Sequence, residues 1–367
     1  MNDISREQRV AAMRASERLL SGVRPPTMRE QLAVITARTD LDRPPDYYGD
    51  GPVRELEDHI AAQLGTEAAA YFPTGTMAQQ VALRYGADKT GNPTVALHPL
   101  GHQEVHERHA YAALTGLRAV WPTTAPRNAT AAEVAELDEP FGTLVVELPL
   151  RDAGFVLPAW DELVAVAAQA RRRGARVHFD GARIWDCVPY LEHSPAEIAA
   201  LADSTYVSFY KSVGAFSGAT LAGTAELIAY ARAWRHRYGG NVFQQWPAVL
   251  SALAGLTDRV ALLPDQVRHA RTVAAALATL PGARIHPDPP HTHQFRLWLP
   301  FPADTLDAAA LALAEREKTW FVGGWSNADV PGMAVAEVTV ADAAMSWTAD
   351  DITGVGARFL ALAATVE

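Results

Sequence analysis

The sequence predicts an α/β protein: a large domain with a mostly parallel sheet between helices, then a smaller α+β domain. Three observations predict it. Short apolar strand candidates alternate with helical patterns between about residues 68 and 222. That alternation implies parallel crossovers and a sheet covered on both faces. A long helical region follows, and after Pro281-Gly282 a second mixed pattern begins. The length of 367 residues suits two domains, or one large domain with an appendage.

Taken in order, Val10, Met13, Leu19 and Leu20 recur at helical spacing, and Gly22-Val23-Arg24-Pro25-Pro26 breaks the pattern. Residues 43–52, Arg-Pro-Pro-Asp-Tyr-Tyr-Gly-Asp-Gly-Pro, read as an exposed or site-forming loop. Pro52 suits the first turn of a helix whose apolar face is Leu56, Ile60, Ala61 and Leu64, with Gly65 as its stop. Strands are expected at 68–72, 94–97, 143–147, 176–180, 205–209 and 219–222, and helices at 76–85, 104–114 and 161–172. The helical region 225–280 is broken near Gly239-Gly240 and at Pro264. Beyond it, strands are expected near 294–299, 319–322 and 337–340, and helices near 305–314 and 350–364. The resulting division is an N-terminal helical segment at 1–44, a large domain at 45–265 and a small domain at 266–367.

Composition bounds the function. The chain has 32 basic and 42 acidic residues, a net charge of −10. That argues against general nucleic-acid binding and leaves room for a local basic pocket. The hydrophobic fraction of 49% and charged fraction of 20% exclude a disordered chain. The lone Cys187 allows neither an intrachain disulfide nor a cysteine metal cluster, and reads as a small buried apolar residue. No stretch approaches ~18 uninterrupted apolar residues, so no membrane span is expected. The N-terminus lacks the apolar core of a signal peptide, and the expected compartment is the cytoplasm.

Four strings carry chemistry. Pro73-Thr74-Gly75-Thr76-Met77-Ala78 lies between a strand and a helix, where amides and a hydroxyl can meet an anion; an ordinary threonine-capped turn is the alternative. Val177-His178-Phe179-Asp180-Gly181-Ala182-Arg183 ends an apolar strand in a carboxylate, with an arginine three residues on. Asp180 is suited to a cationic heterocyclic nitrogen and Arg183 to a carboxylate; a local ion pair is the alternative. In Val207-Ser208-Phe209-Tyr210-Lys211-Ser212, a lysine follows a strand directly. Burial there makes an amine nucleophile, and snorkelling is the alternative. His102 also follows a strand and is placed to stack on a ring or move protons. With His98, His106 and His109 it raises a metal reading, weakened by the lack of an acidic partner; no metal is expected.

Together these strings resemble the threonine aldolase and β-eliminating lyase family of pyridoxal 5'-phosphate (PLP) enzymes. Tyr48-Gly49-Asp50-Gly51-Pro52 followed by Glu55-Leu56-Glu57, the 73–78 string, His178 to Trp185, Ser208 to Gly214 and Arg235–Gly240 carry the resemblance, which runs from about residue 20 to 265. It implies the aspartate aminotransferase-like fold type I, with a three-layer α/β/α large domain, and PLP as cofactor. It implies that Lys211 binds PLP covalently, Asp180 pairs with the pyridine nitrogen, and His102 stacks on the ring. Gly75 and Thr76, with Met77 and Ser208, would serve the cofactor. Arg183 would sit by the cofactor and take the substrate carboxylate. Tyr48 would lie near an active site, often a neighbouring subunit's, so a homodimer or homotetramer is expected.

The implied reaction is retro-aldol cleavage of a β-hydroxy-α-amino acid, such as threonine or phenylserine, to glycine and an aldehyde. Three departures concern substrate handling. A Glu-Asn-Thr-His string is replaced by Glu147-Leu148-Pro149-Leu150, with Arg151 offering positive charge nearby. Glu337-Val338-Thr339-Val340 lacks an expected second carboxylate-binding arginine, and Tyr210-Lys211-Ser212-Val213 replaces Ser-Lys-Gly-Leu. A β-eliminating or aldehyde-transferring PLP enzyme, and a non-catalytic protein on the same fold, are the other readings.

Overall fold

The computed structural model describes residues 5–37 and 41–365. Helix α1 (Arg6–Ala15) opens with a capping box, in which the Ser5 hydroxyl accepts the Gln8 N–H and the Gln8 side chain accepts the Ser5 N–H. It ends at Ser16, earlier than the apolar spacing suggests, and β1 (Arg18–Leu19) follows. The chain forms two compact units, one of Met1–Met28 with Leu262–Glu367 and the other of Arg29–Ala261. The expected separate segment 1–44 is therefore replaced by an N-terminal arm that belongs with the C-terminal residues, and the large unit starts at Arg29 rather than 45.

The large unit contains α2 (Met28–Thr36), α3 (Pro52–Leu64), β2 (Ala68–Phe72), α4 (Gly75–Thr90), β3 (Thr94–Ala96), α5 (His102–Val105), α6 (Ala110–Thr115) and β4 (Arg118–Val120). There follow α7 (Ala131–Glu136), β5 (Thr143–Glu147), α8 (Trp160–Arg172), β6 (Arg176–Asp180), α9 (Ile184–Leu191), α10 (Pro195–Ala199), β7 (Ser204–Ser208), β8 (Ala219–Gly223), α11 (Ala225–Arg237) and α12 (Trp246–Asp258). Pro52 at the first turn of α3 and left-handed Gly65 after it are the start and stop signals read from the sequence. Sheet order is β2-β8-β7-β6-β5-β3-β4. The pairs from β4 through β7 are parallel, while β8 runs antiparallel to β7 and β2. Every residue of β5, β7 and β8 is buried, as expected of strands covered on both faces.

This topology makes the site edge. β5, β6 and β7 run in one direction, so their C-terminal ends lie together. The chain leaves β7 through 209–218 and returns as β8, which keeps the Lys211 loop at that same edge.

The smaller unit adds α13 (Leu263–Ala278), β9 (Arg284–His286), β10 (Gln294–Leu299), α14 (Ala303–Glu317), β11 (Thr319–Trp320), β12 (Ser326–Asn327), β13 (Ala334–Thr339) and α15 (Ala349–Ala363). Its sheet order is β12-β13-β10-β9, all antiparallel, and β10 and β13 alternate buried with half-buried residues. The buried face packs Phe295, Leu297, Leu299, Phe321, Trp347 and Phe359 around Leu19 and Leu20 of the arm. β1 pairs in parallel with β11, Arg18 opposite Thr319. The helical run Trp246–Ala278 is long and apolar enough by composition to cross a membrane. It is interrupted by a 3-10 turn at Val260–Leu262, and both flanking helices carry buried faces.

Candidate active site

Glu147, Asp180 and Tyr206 are successive partners across β5, β6 and β7. Residues level with one another on neighbouring strands project to the same face, so two carboxyls and a phenol form one row at the sheet edge. Asp180 is 1% exposed. Its Oδ2 accepts from Gln103 Nε2 at 3.1 Å and its Oδ1 from the Ala182 N–H at 3.2 Å. Among the described residues it has no ion-pair partner within 4 Å. Neither has Arg183, so the local Asp180–Arg183 pair left open by their spacing does not form.

Lys211 enters the same row from the loop after β7. Burial lowers its amine from the ordinary lysine value, and the charge of Arg183 lowers it further; Asp180 and Glu147 oppose the shift, and Arg151 adds to it. Lys211 also has no ion-pair partner within 4 Å among the described residues. Lys211 is half-buried, whereas a snorkelling lysine would carry its amine out to solvent. A buried carboxylate and a half-buried amine thus share a site without forming an ion pair within 4 Å.

His102 starts α5, which is anchored from the row. The Glu147 Oε2 accepts the His102 N–H at 2.8 Å, and Oε1 accepts the Arg151 N–H at 3.2 Å. Burial pushes His102 down to about 4, with Asp180 and Asp152 opposing and Lys211 and His106 adding to the shift. A neutral ring is thereby held beside Lys211. Burial, with the Asp180 charge second, pushes Glu147 up to about 8. Glu107 is pushed up to about 7 for the same two reasons, while its Oε2 accepts from Gln80 Nε2 at 3.0 Å.

The expected anion cup is the N-terminus of α4. Thr74 caps it by accepting the Met77 N–H at 3.4 Å. That engages one of the amides expected to serve the cofactor and leaves those of Gly75 and Thr76, which have no intrahelical acceptor. Gly75 packs on Tyr206, whose hydroxyl would lie 2.2 Å from a Cβ there. Ser208 is buried at the end of β7, two residues beyond Tyr206.

A sequence profile described as Beta-eliminating lyase matches residues 25–297. The chain belongs to that family. A protein of Exiguobacterium sp. 255-15, provisionally assigned as an aromatic amino acid beta-eliminating lyase/threonine aldolase, is 33% identical, with a TM-score of 0.90 over 97% of this chain and 99% of its own. A protein of Listeria monocytogenes EGD-E, provisionally assigned as an L-allo-threonine aldolase, is 31% identical, with a TM-score of 0.89 over 97% and 99%. The low specificity L-threonine aldolase of Escherichia coli K12 is 30% identical over 239 residues, 63% of this chain and 71% of the relative. The fold is the type I fold of PLP enzymes, as the resemblance implied.

In this beta-eliminating lyase family member the remaining expected residues divide. Arg183 lies by Lys211, with its guanidinium 5.3 Å from the Phe155 ring centroid. Arg151 also lies close, its Nη1 at 3.3 Å from His106 Nε2. Tyr48 is not brought into this row. It is 57% exposed with φ 54° and packs edge-on against Phe243 at 5.3 Å. The histidines do not line one helix. α5 ends at Val105, His109 is left-handed and pairs with Glu104, and His98 Nε2 bonds the Ala125 carbonyl. Among the described residues no group of three or more His, Cys, Asp or Glu side chains could hold a metal.

Gln103, Glu107, Glu147 and Tyr206 also belong to the site, outside the roles that the motifs imply. A signal existed for Glu147 and Tyr206, because each lies toward the end of a strand beside the one that ends in Asp180. Gln103 lies in α5 and Glu107 just after it, where the helix expected at 104–114 is broken, so the expected helix did not place them.

Proposed function

We propose that this chain cleaves the Cα–Cβ bond of a β-hydroxy-α-amino acid, giving glycine and an aldehyde. The chain is a PLP-dependent lyase. The observation that carries the reading is the buried Asp180 and the half-buried Lys211, sharing one site with no ion partner within 4 Å. A protonated pyridine nitrogen fits the carboxylate, and an aldehyde carbon fits the amine. Lys211, Asp180, His102 and the Gly75 and Thr76 amides would hold PLP, and Arg183 would remain near it. When bound, PLP supplies an electron-withdrawing ring that stabilises negative charge at Cα.

The chain's residues supply the rest. Burial, and the Arg183 charge after it, lower the Lys211 amine from its ordinary value and so make it easier to deprotonate for attack on a carbonyl. Asp180 is fixed by two hydrogen bonds and would hold a positive charge placed opposite it. Neutral His102 offers a flat ring without a competing charge. Arg183 and Arg151 both lie close enough to act on Lys211, and are the groups suited to the substrate carboxylate.

One observation favours a second outcome. The position where the resemblance expects a histidine is Leu150, fully buried with Ala153 and Val156. A β-eliminating lyase has no need of that histidine. We further infer a homodimer or homotetramer acting in the cytoplasm on a small amino acid, not on nucleic acid or a membrane. The half-exposed aromatic group Tyr47, Tyr48 and Phe243 supports the oligomer, since a second subunit would cover it.

The test has two arms. Borohydride reduction with PLP is expected to label the Lys211 peptide, and Lys211→Ala to remove both label and visible absorbance. A panel with threonine, phenylserine and serine is expected to release glycine and the matching aldehyde. The matching 2-keto acid and ammonia instead, pyruvate in the case of serine, would establish β-elimination, and a label on another lysine would overturn the site.

A further inference from the structure

Retro-aldol cleavage requires a base for the β-hydroxyl proton. His102, pushed down to about 4, is a weak one. Glu107 is sealed, its side chain 1% exposed and bonded to Gln80. Glu147 is committed to two backbone amides. His106 remains. It ends α5 one turn beyond His102, and the two ring centroids are 5.2 Å apart. Its Nε2 lies 2.7 Å from Asp152 Oδ2. Arg151 Nη1 also lies 3.3 Å from that nitrogen, but a carboxylate only accepts and its contact is the shorter, so we assign the hydrogen to Nε2 and the lone pair to Nδ1. The side chains of His106 and Asp152 are 34% and 18% exposed, open enough for a substrate to reach them.

Asp152 sits in the turn whose start is pinned by Glu147, so the base is anchored to the same carboxyl that holds His102. We propose that the His106–Asp152 pair is the group that accepts the β-hydroxyl proton, a role the buried Leu150 cannot fill. The inference rests on the retro-aldol reading. The O–H bond breaks and its proton passes to His106 Nδ1. The Cα–Cβ bond breaks, Cβ–O becomes the aldehyde carbonyl, and the electron pair stays on Cα, which takes a proton to become glycine. Asp152 orients the ring and stabilises the imidazolium that forms.

The PLP-loaded protein and its His106→Asn and Asp152→Asn variants test this. Three quantities are compared: cleavage of threonine or phenylserine, affinity for glycine by titration, and exchange of the glycine α-proton with deuterated solvent by NMR. Glycine binding and exchange need the cofactor pocket but no β-hydroxyl base. His106→Asn is expected to lower cleavage kcat by about 10²-fold or more, with glycine affinity and exchange within about threefold of wild type. Asp152→Asn should give the same split with a smaller loss. Unchanged cleavage in both variants, or parallel loss of cleavage, glycine affinity and exchange, would overturn the assignment. If the wild type releases no glycine from any β-hydroxy amino acid, the retro-aldol reading itself fails and this inference with it, an outcome visible without any variant.

Discussion

Glu147 closes β5 level with Asp180 of β6. The structure makes it a clip that holds the His102 and Arg151 amides at once. Its raised proton affinity has a definite sign. An unfolded glutamate releases its proton near 4.5, whereas the folded one holds it to about 8. Between those values the folded state binds more protons, so stability falls as pH rises, and it is level below and above. In the cofactor-free protein, Glu147→Gln is expected to remove this slope, which is at most about 1.4 kcal/mol per pH unit. The carboxamide accepts through one oxygen only, so one amide is left without a partner, at about 1–3 kcal/mol across all pH. Amide hydrogen exchange of the β5 and β6 peptides from pH 4.5 to 8.5, corrected for the intrinsic pH dependence of exchange, measures both. A wild type and variant whose stabilities stay parallel over that range would refute the assignment.

At the scale of elements, the long periodic pieces were readable and the short ones were not. α3, with its Pro start, apolar face and Gly stop, matches its expectation closely. The expected helix 104–114 is instead two short helices, because His109 adopts a left-handed conformation between them. β8 reverses the sheet direction, which its burial pattern could not announce, since strands buried on both faces read alike in either direction. The junction of α4 with β7 shows how two elements set a site. Gly75 lies so close to the Tyr206 hydroxyl that a methyl group would meet it at 2.2 Å. Gly75→Ala is expected to weaken PLP binding by pushing the α4 N-terminus away, and Tyr206→Phe in the same chain to restore part of it. Absorbance titration with PLP checks this pair. A Gly75→Ala protein of unchanged affinity would show that the cofactor does not use this helix end.

For the whole molecule, the smaller unit is built from both ends of the chain. Leu19 and Leu20 are fully buried among Phe295, Leu297, Leu299 and Phe321, and Arg18 places its guanidinium 4.2 Å from the Trp347 ring centroid. The sequence showed the apolar residues of this arm but not their destination, because pairing across some 300 residues leaves no local period. Helical spacing through Leu20 was the reading that locality favoured; the parallel pairing of β1 with β11 prevailed because it buries both leucines. Leu20→Ala is therefore expected to cost about 2–5 kcal/mol, with the cost confined to one unit. Because the chain has two units, a single unfolding free energy is a poor readout, and amide hydrogen exchange followed by peptide is the better one. The variant should speed exchange in β10, β13 and α15, where the leucine packs, and leave β5, β6 and β7 at the wild-type rate. Equal acceleration in both sets would mean that the two units open as one. Acceleration in the large unit alone would place the arm there, against the packing of Leu20.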